Sequence, residues 1–325
     1  MFHVKLLKMG KKHPKPKRHS FGRILLGLLL VLATAVLLAG TVNARIVRVE
    51  YRTAHLDGLD SRLEGLRILY ISDLKISNTR KAVQAANLIK RLCASEPDIV
   101  LIGGDICGLS LWDEAGRSLG FGNEESISRR LGEAQAQFLL EMNDLSVRGG
   151  IYAVTGDCDP GLSWEEERRS NIRFLKNEVC AVSINGTYLP IYGCAYSAAQ
   201  GGYVFSFENT GSGPMIVLSH DPGVYKQVSL AASRRSHNLQ GYIHNPQEYI
   251  LLAGHGLGGQ VRLGSRYLAH PDTNEKFLNS EDFSGGVYKD GTGLRMLPGQ
   301  GIGSELFPFR LGTRPTAYYI QLSGK

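Results

Sequence analysis

Apolar and polar positions come in blocks along this chain. Residues 24–44, ILLGLLLVLATAVLLAGTVNA, form an apolar run with no charged residue. Beyond it, short and nearly continuous apolar runs predict buried strands: LRILYIS at 66–72, DIVLIGGD at 98–105, IYAVTGD at 151–157 and YLPIYGCAY at 188–196. PMIVLSH at 214–220, EYILLAGH at 248–255 and TAYYIQL at 316–322 complete the set. Between them, Ala82, Ala85, Ala86, Ile89, Leu92 and Cys93 recur at helical spacing and predict a helix over 79–93. Ile127, Leu131, Ala134, Phe138, Met142 and Leu145 predict a second over 125–146, and Glu165–Leu175 a third. The Gly-rich stretch 106–124 reads as an irregular surface excursion. Strands apolar on both faces and separated by helices predict a layered α/β domain. No repeat or low-complexity linker interrupts 45–325, which predicts one domain there.

The 21 residues at 24–44 are enough to cross a hydrocarbon core as a helix, which takes about 20. Residues 1–23 before them carry eight basic side chains and no acid. Lys and Arg stay on the cytoplasmic side, so the pattern predicts a basic cytoplasmic tail (1–23), a transmembrane anchor (24–44) and an extracytoplasmic domain (45–325). A cleaved signal peptide is the rival, since Val42 and Ala44 place small residues before Arg45. The long basic leader and long apolar run favour the anchor.

The tail also decides what the net charge means. All 325 residues together carry +7, but outside 1–23 there are 29 basic against 30 acidic residues. The body of the protein is not basic, which argues against a nucleic-acid partner. The five cysteines, Cys93, Cys107, Cys158, Cys180 and Cys194, show no zinc-knuckle or CxxC spacing and read mainly as buried thiols. His237, His244 and His270 read as surface or loop residues.

Five predicted strands end at Asp73, Asp105, Asp157, His220 and His255. In open α/β sheets the ligand crevice lies beyond the carboxyl ends of the strands, where these side chains converge. Carboxylates with imidazoles suit a transition-series ion such as manganese, iron or zinc. Any one of them alone is an ordinary turn or cap residue. Five in series are not.

The segments ISDLKIS, GGDICG, TGDCDP, LSHDP and AGHGLGGQVRL, in this order, resemble the five motifs of the calcineurin-like metallophosphoesterases. GVYKDGTGLRMLPGQGIGSELFPFRLGTRP resembles the end of that family's membrane-anchored branch. The resemblance implies a layered α/β sandwich of two central sheets flanked by helices, after one N-terminal transmembrane helix. It also implies two metals clamping a phosphate. By resemblance, one metal would use the positions of Asp73, Lys75, Asp105 and Leu257, and the other Asp105, Asp157, His220 and His255. Lys75 and Leu257 stand where the family has histidines, so the first half-site has lost two ligands. The second keeps four donors, with Asp157 in place of asparagine. Cys158 replaces the family's catalytic histidine, and Asp159 keeps the place of the acid that orients it.

The implied centre therefore holds one ion rather than two. One divalent ion and Lys75 against Asp73, Asp105 and Asp157 bring the local charge to zero, where the family site is at +2. The expectation is a membrane-anchored phosphoester or pyrophosphate hydrolase with a weakened site, acting on a phosphorylated small molecule or lipid-linked substrate. The alternative is an inactive relative that binds a phosphorylated envelope ligand or a protein partner. Lys75, Cys158 and Asp159 are the candidate catalytic positions, with Lys75 standing in for the absent ion or merely neutralising buried acids.

Overall fold

The computed structural model describes residues 19–197, 202–203, 205, 213–236, 248–263, 266–269, 288–289 and 294–324. His237, His244 and His270 lie outside these residues, as does part of the 286–315 tail. The chain divides into two compact units, one to Ala39 and one from Gly40. Helix α1, His19–Asn43, contains a stretch from Phe21 that is long and apolar enough to cross a membrane, with mean hydropathy 2.6. Its apolar side chains are exposed rather than packed in a core, as befits a membrane span or a signal sequence.

After α1 come β1 (Arg48–Leu56), β2 (Arg67–Ile71), α2 (Thr79–Cys93), β3 (Ile99–Gly103), α3 (Leu111–Ser118) and α4 (Glu124–Met142). Next are β4 (Ile151–Val154), α5 (Trp164–Arg169), β5 (Ile172–Phe174), β6 (Glu178–Ile184), β7 (Thr187–Cys194), β8 (Tyr196–Ser197) and β9 (Gly202–Tyr203). Then follow β10 (Met215–Ser219), α6 (Tyr225–Ser236), β11 (Tyr249–Ala253), β12 (Val261–Leu263) and β13 (Arg266–Ala269). β14 (Tyr288–Lys289), β15 (Leu294–Pro298) and β16 (Thr316–Gly324) end the series.

Two six-stranded, mostly parallel sheets result, ordered β1-β16-β2-β3-β4-β5 and β14-β15-β11-β10-β7-β6. Alternation along β2 sets the layers. Leu69 and Ile71 pack on one face with Ala82, Ala86 and Ile89 of α2 and Phe138 and Met142 of α4. Ile68 and Tyr70 point the other way, against Leu218 of β10 and Leu252 of β11 in the second sheet. The outer face of that sheet is covered by Val228 and Ala232 of α6. The chain from Gly40 onward is thus a helix–sheet–sheet–helix α/β unit.

Several expected elements differ. The excursion at 106–124 contains α3, held by a capping box in which Ser110 and Asp113 bond each other's backbone N–H. The helix expected over 165–175 stops at Arg169, and Ile172–Phe174 pairs with β4 as an edge strand. β1, an edge strand rich in charge, runs parallel to β16 and was not among the expected strands. β6 alternates exposed and buried side chains and had no continuous apolar run to show it.

Candidate metal centre

The carboxyl ends of β2, β3 and β4 from one sheet and of β10 and β11 from the other present the five predicted residues within two or three positions of each strand's end. The backbone there is unusual. Asp73, Lys75, Asp105, His255 and Leu257 adopt φ of 51°, 52°, 49°, 67° and 47°. They are five of the ten non-glycine residues with left-handed φ among the described residues. Such conformations cost about 1–3 kcal/mol each and persist where the surroundings impose them. Here the Asp73 and Lys75 amides donate to the Gly104 and Asp105 carbonyls at 3.0 and 3.1 Å, which locks the two loops together. Gly104 is required at its own left-handed position, because a Cβ there would lie 2.7 Å from that of His220.

One donor atom each from Asp105, Asp157, His220 and His255 lies within 4.8 Å of all the others. His220 is fully buried, and its Nδ1 bonds the Gly103 carbonyl at 3.0 Å. A carbonyl only accepts, so that nitrogen carries the proton and the tautomer is fixed. In neutral His220 the Nε2 lone pair then faces Asp157 Oδ1 at 3.1 Å, Asp105 Oδ2 at 3.4 Å and His255 Nδ1 at 3.1 Å. Acceptors turned toward one another this closely need a proton or a cation between them. With no ion bound, a proton serves: burial opposes charging His220, but Asp105, Asp157 and Asp73 outweigh it and hold its pKa well above the ordinary histidine value. Asp157 is correspondingly pushed below the usual carboxylate range by its bonds to His220 and His255, against a burial penalty that raises it. Two carboxylates and two imidazoles in this arrangement fit a single divalent ion.

Asp73 does not join this group. Its carboxylate accepts the His255 backbone N–H at 3.1 and 3.2 Å and stays 4.0 Å from His220 Nδ1. It fixes the loop that carries a ligand instead of supplying one of the four donors. Lys75 lies on the other side of Asp105, its Nζ 2.5 Å from Asp105 Oδ2 and 2.8 Å from Glu305 Oε2. Its stem is gripped between Gly108 and Gly303, where added Cβ atoms would approach it to 2.7 and 2.6 Å. Burial disfavours the ammonium, yet Asp105, Cys158, Glu305 and Asp73 raise its pKa well above the ordinary lysine value.

Glu305 was not foreseen. Gln260, the last residue of the Gly-Gly-Gln stretch, positions it: the Gln260 amide donates to the Glu305 carbonyl at 3.1 Å, and the Glu305 N–H donates to Gln260 Oε1 at 2.7 Å. Leu257 is wholly buried. Its carbonyl and those of Gln300, Gly301 and Gly303 accept from the buried guanidinium of Arg310. Leu257 thus occupies its strained position as packing, with no donor.

Cys158 Sγ lies 3.9 Å from both Lys75 Nζ and Asp157 Oδ2. Burial and the Asp105 charge raise its pKa, so it is a protonated thiol at neutral pH and not a ready nucleophile. Asp159, expected to stand without its partner, accepts N–H bonds from Cys107 at 2.7 Å and Gly156 at 2.8 Å. It ties the Asp105 and Asp157 loops together. Burial and the neighbouring Asp105 raise its pKa to about 7. All five cysteines are free thiols, with Cys107, Cys180 and Cys194 buried. No protein-family profile matches this chain, and no curated protein does.

Proposed function

We propose that this chain is a membrane-anchored metallophosphoesterase of the calcineurin-like kind, with its basic tail in the cytoplasm and a one-ion centre in an extracytoplasmic sandwich domain. The observation that carries the reading is the convergence of Asp105, Asp157, His220 and His255, with His220 held in the tautomer that turns its lone pair inward. A divalent manganese, iron or zinc ion held by these four would supply Lewis-acid polarisation of a phosphoryl oxygen and activation of water. The chain's own residues do the rest. Gly103 orients His220, Asp73 fixes the His255 loop, and Asp159 keeps the Asp105 and Asp157 loops in register. Cys158 holds a proton at Sγ, but so tightly that it serves poorly as a general acid.

The Lys75 cluster favours a second reading, a catalytically inactive binder of a phosphorylated envelope ligand or protein partner. Counting Glu305 with the three aspartates, one divalent ion and Lys75 leave the site at −1, short of the positive charge that stabilises the transition state of phosphoryl transfer. Assaying the full chain with added Mn²⁺ against bis-p-nitrophenyl phosphate separates the two. Metal-dependent turnover abolished by His220→Ala supports the hydrolase, and metal binding without turnover supports the binder.

A further inference from the structure

A pocket of about 320 Å³ opens beside the Lys75 stem and has no part in the ion centre. Leu74, Leu88, Leu109, Ile302 and Phe307 make its walls largely apolar. Three cations, Arg45, Lys75 and Lys81, also line it, and among the described lining residues there is no carboxylate. Lys75 is already engaged by Asp105 and Glu305, whereas Arg45 and Lys81 make no ion pair among the described residues.

Two further observations bear on the occupant. Ala44 and Arg45, in the pocket wall, are the first residues after α1, and the Asn43 amide is held by the Arg310 and Thr313 carbonyls at 3.2 and 2.7 Å. The rim is apolar and exposed: Phe307 is 43% accessible, and Leu306 bonds the backbone of Leu111, which precedes Trp112 at 81%. Exposed aromatics beside cations are what a protein surface presents to a lipid–water interface. An apolar pocket of a few hundred Å³ with a few convergent charges is also the usual form of a ligand site.

We propose that this pocket binds an anionic phospholipid, with acyl carbons against Leu74, Leu88 and Ile302 and the phosphate against Arg45 and Lys81. The proposal rests on the anchored reading for delivery of the lipid, and not on hydrolysis.

The test reconstitutes the full chain in phosphatidylcholine vesicles doped with a diazirine-bearing phosphatidic acid, irradiates, and maps the cross-links. Labelling within 74–109 and 302–308, besides α1, is expected. Arg45→Gln with Lys81→Gln should lower pocket labelling by at least about tenfold and leave α1 labelling unchanged, since each cation near an anionic headgroup is worth about fivefold. Both side chains are exposed, so the fold should survive. Phe307→Ser offers a second probe on the apolar rim. Four results would overturn the proposal: labelling confined to α1, equal labelling by a diazirine-bearing phosphatidylcholine, insensitivity to both charge changes, or cross-links from the pocket to a second copy of the chain. Labelling of neither region would refute the anchor as well. Ion content measured on the same samples reports separately on the metal centre.

Discussion

Replacing Lys75 with methionine tests whether this residue compensates the buried acid of the ion centre. Methionine keeps most of the stem gripped by Gly108 and Gly303 and deletes only the ammonium. The side chains of Lys75 and Asp105 are 6% and 0% accessible, so Asp105 would be left as a buried charge whose remaining cation, the protonated His220, is shared with Asp157. Glu305 is 27% accessible and can turn to solvent, so its loss counts for little. Breaking a buried pair by removing one partner costs about 3–5 kcal/mol. At about 2–4 °C per kcal/mol for a large domain, Tm should fall by about 6–20 °C. The assay is thermal unfolding of the full chain in chelator at neutral pH, followed by circular dichroism. The raised pKa of Lys75 means that its contribution is complete below the unfolded lysine value and fades only as pH rises through the higher folded one. Neutral pH therefore reads the full effect. Adding Mn²⁺ should recover more stability in the variant than in the unaltered chain, because the ion then supplies the charge that Asp105 lacks. A loss under about 1 kcal/mol in chelator would refute the reasoning, since that is the worth of a solvated surface pair.

Ion uptake should strengthen as pH rises from about 6 to 8 with release of protons, because the raised pKa keeps His220 protonated until the ion displaces the proton. Calorimetry in two buffers of different ionisation enthalpy measures the release, and pH-independent affinity would contradict it. Asp159→Ala should cost about 2–4 kcal/mol in urea unfolding by orphaning the Cys107 and Gly156 amides, and should weaken ion binding as the Asp105 and Asp157 loops lose their tie. Combining Lys75→His, Asp157→Asn, Cys158→His, Leu257→His and Glu305→Gln should raise phosphodiesterase activity above that of the unaltered chain, with the new histidine at 158 worth about 10²–10⁴-fold. Retaining Glu305 should blunt that gain, and a folded two-ion variant that stays inert would place the defect in the substrate pocket.

Much of the scaffold is legible in the sequence, for a physical reason. Central strands such as Ile99–Gly103 are buried on both faces and so read as unbroken apolar runs. The Thr79–Cys93 helix announces itself by the spacing of its apolar residues. Edge elements hide because their partners, not their own residues, make them strands. Arg48–Leu56 is charged and half exposed, and only its register with Thr316–Gly324 defines it. The same limit applies at the site. Strand ends point to Asp105, Asp157, His220 and His255, but nothing local shows that Asp73 turns its carboxylate to a backbone amide. Glu305 meets Lys75 across 230 positions of sequence, in a loop whose composition looks like a turn. A lysine flanked by Leu74 and Ile76 was the one available hint, since a buried ammonium requires a carboxylate.

We propose a single-ion centre at Asp105, Asp157, His220 and His255, with Lys75 on the other side of Asp105. Metal content per chain, determined by elemental analysis on the full protein after equilibration with Mn²⁺ or Zn²⁺ and desalting, tests it most directly. The account predicts about one ion per chain, lost in His220→Ala and in His255→Ala and retained in Asp73→Asn, because Asp73 is not among the four donors. Two tightly held ions in the unaltered chain, or one that survives loss of both histidines, would contradict it.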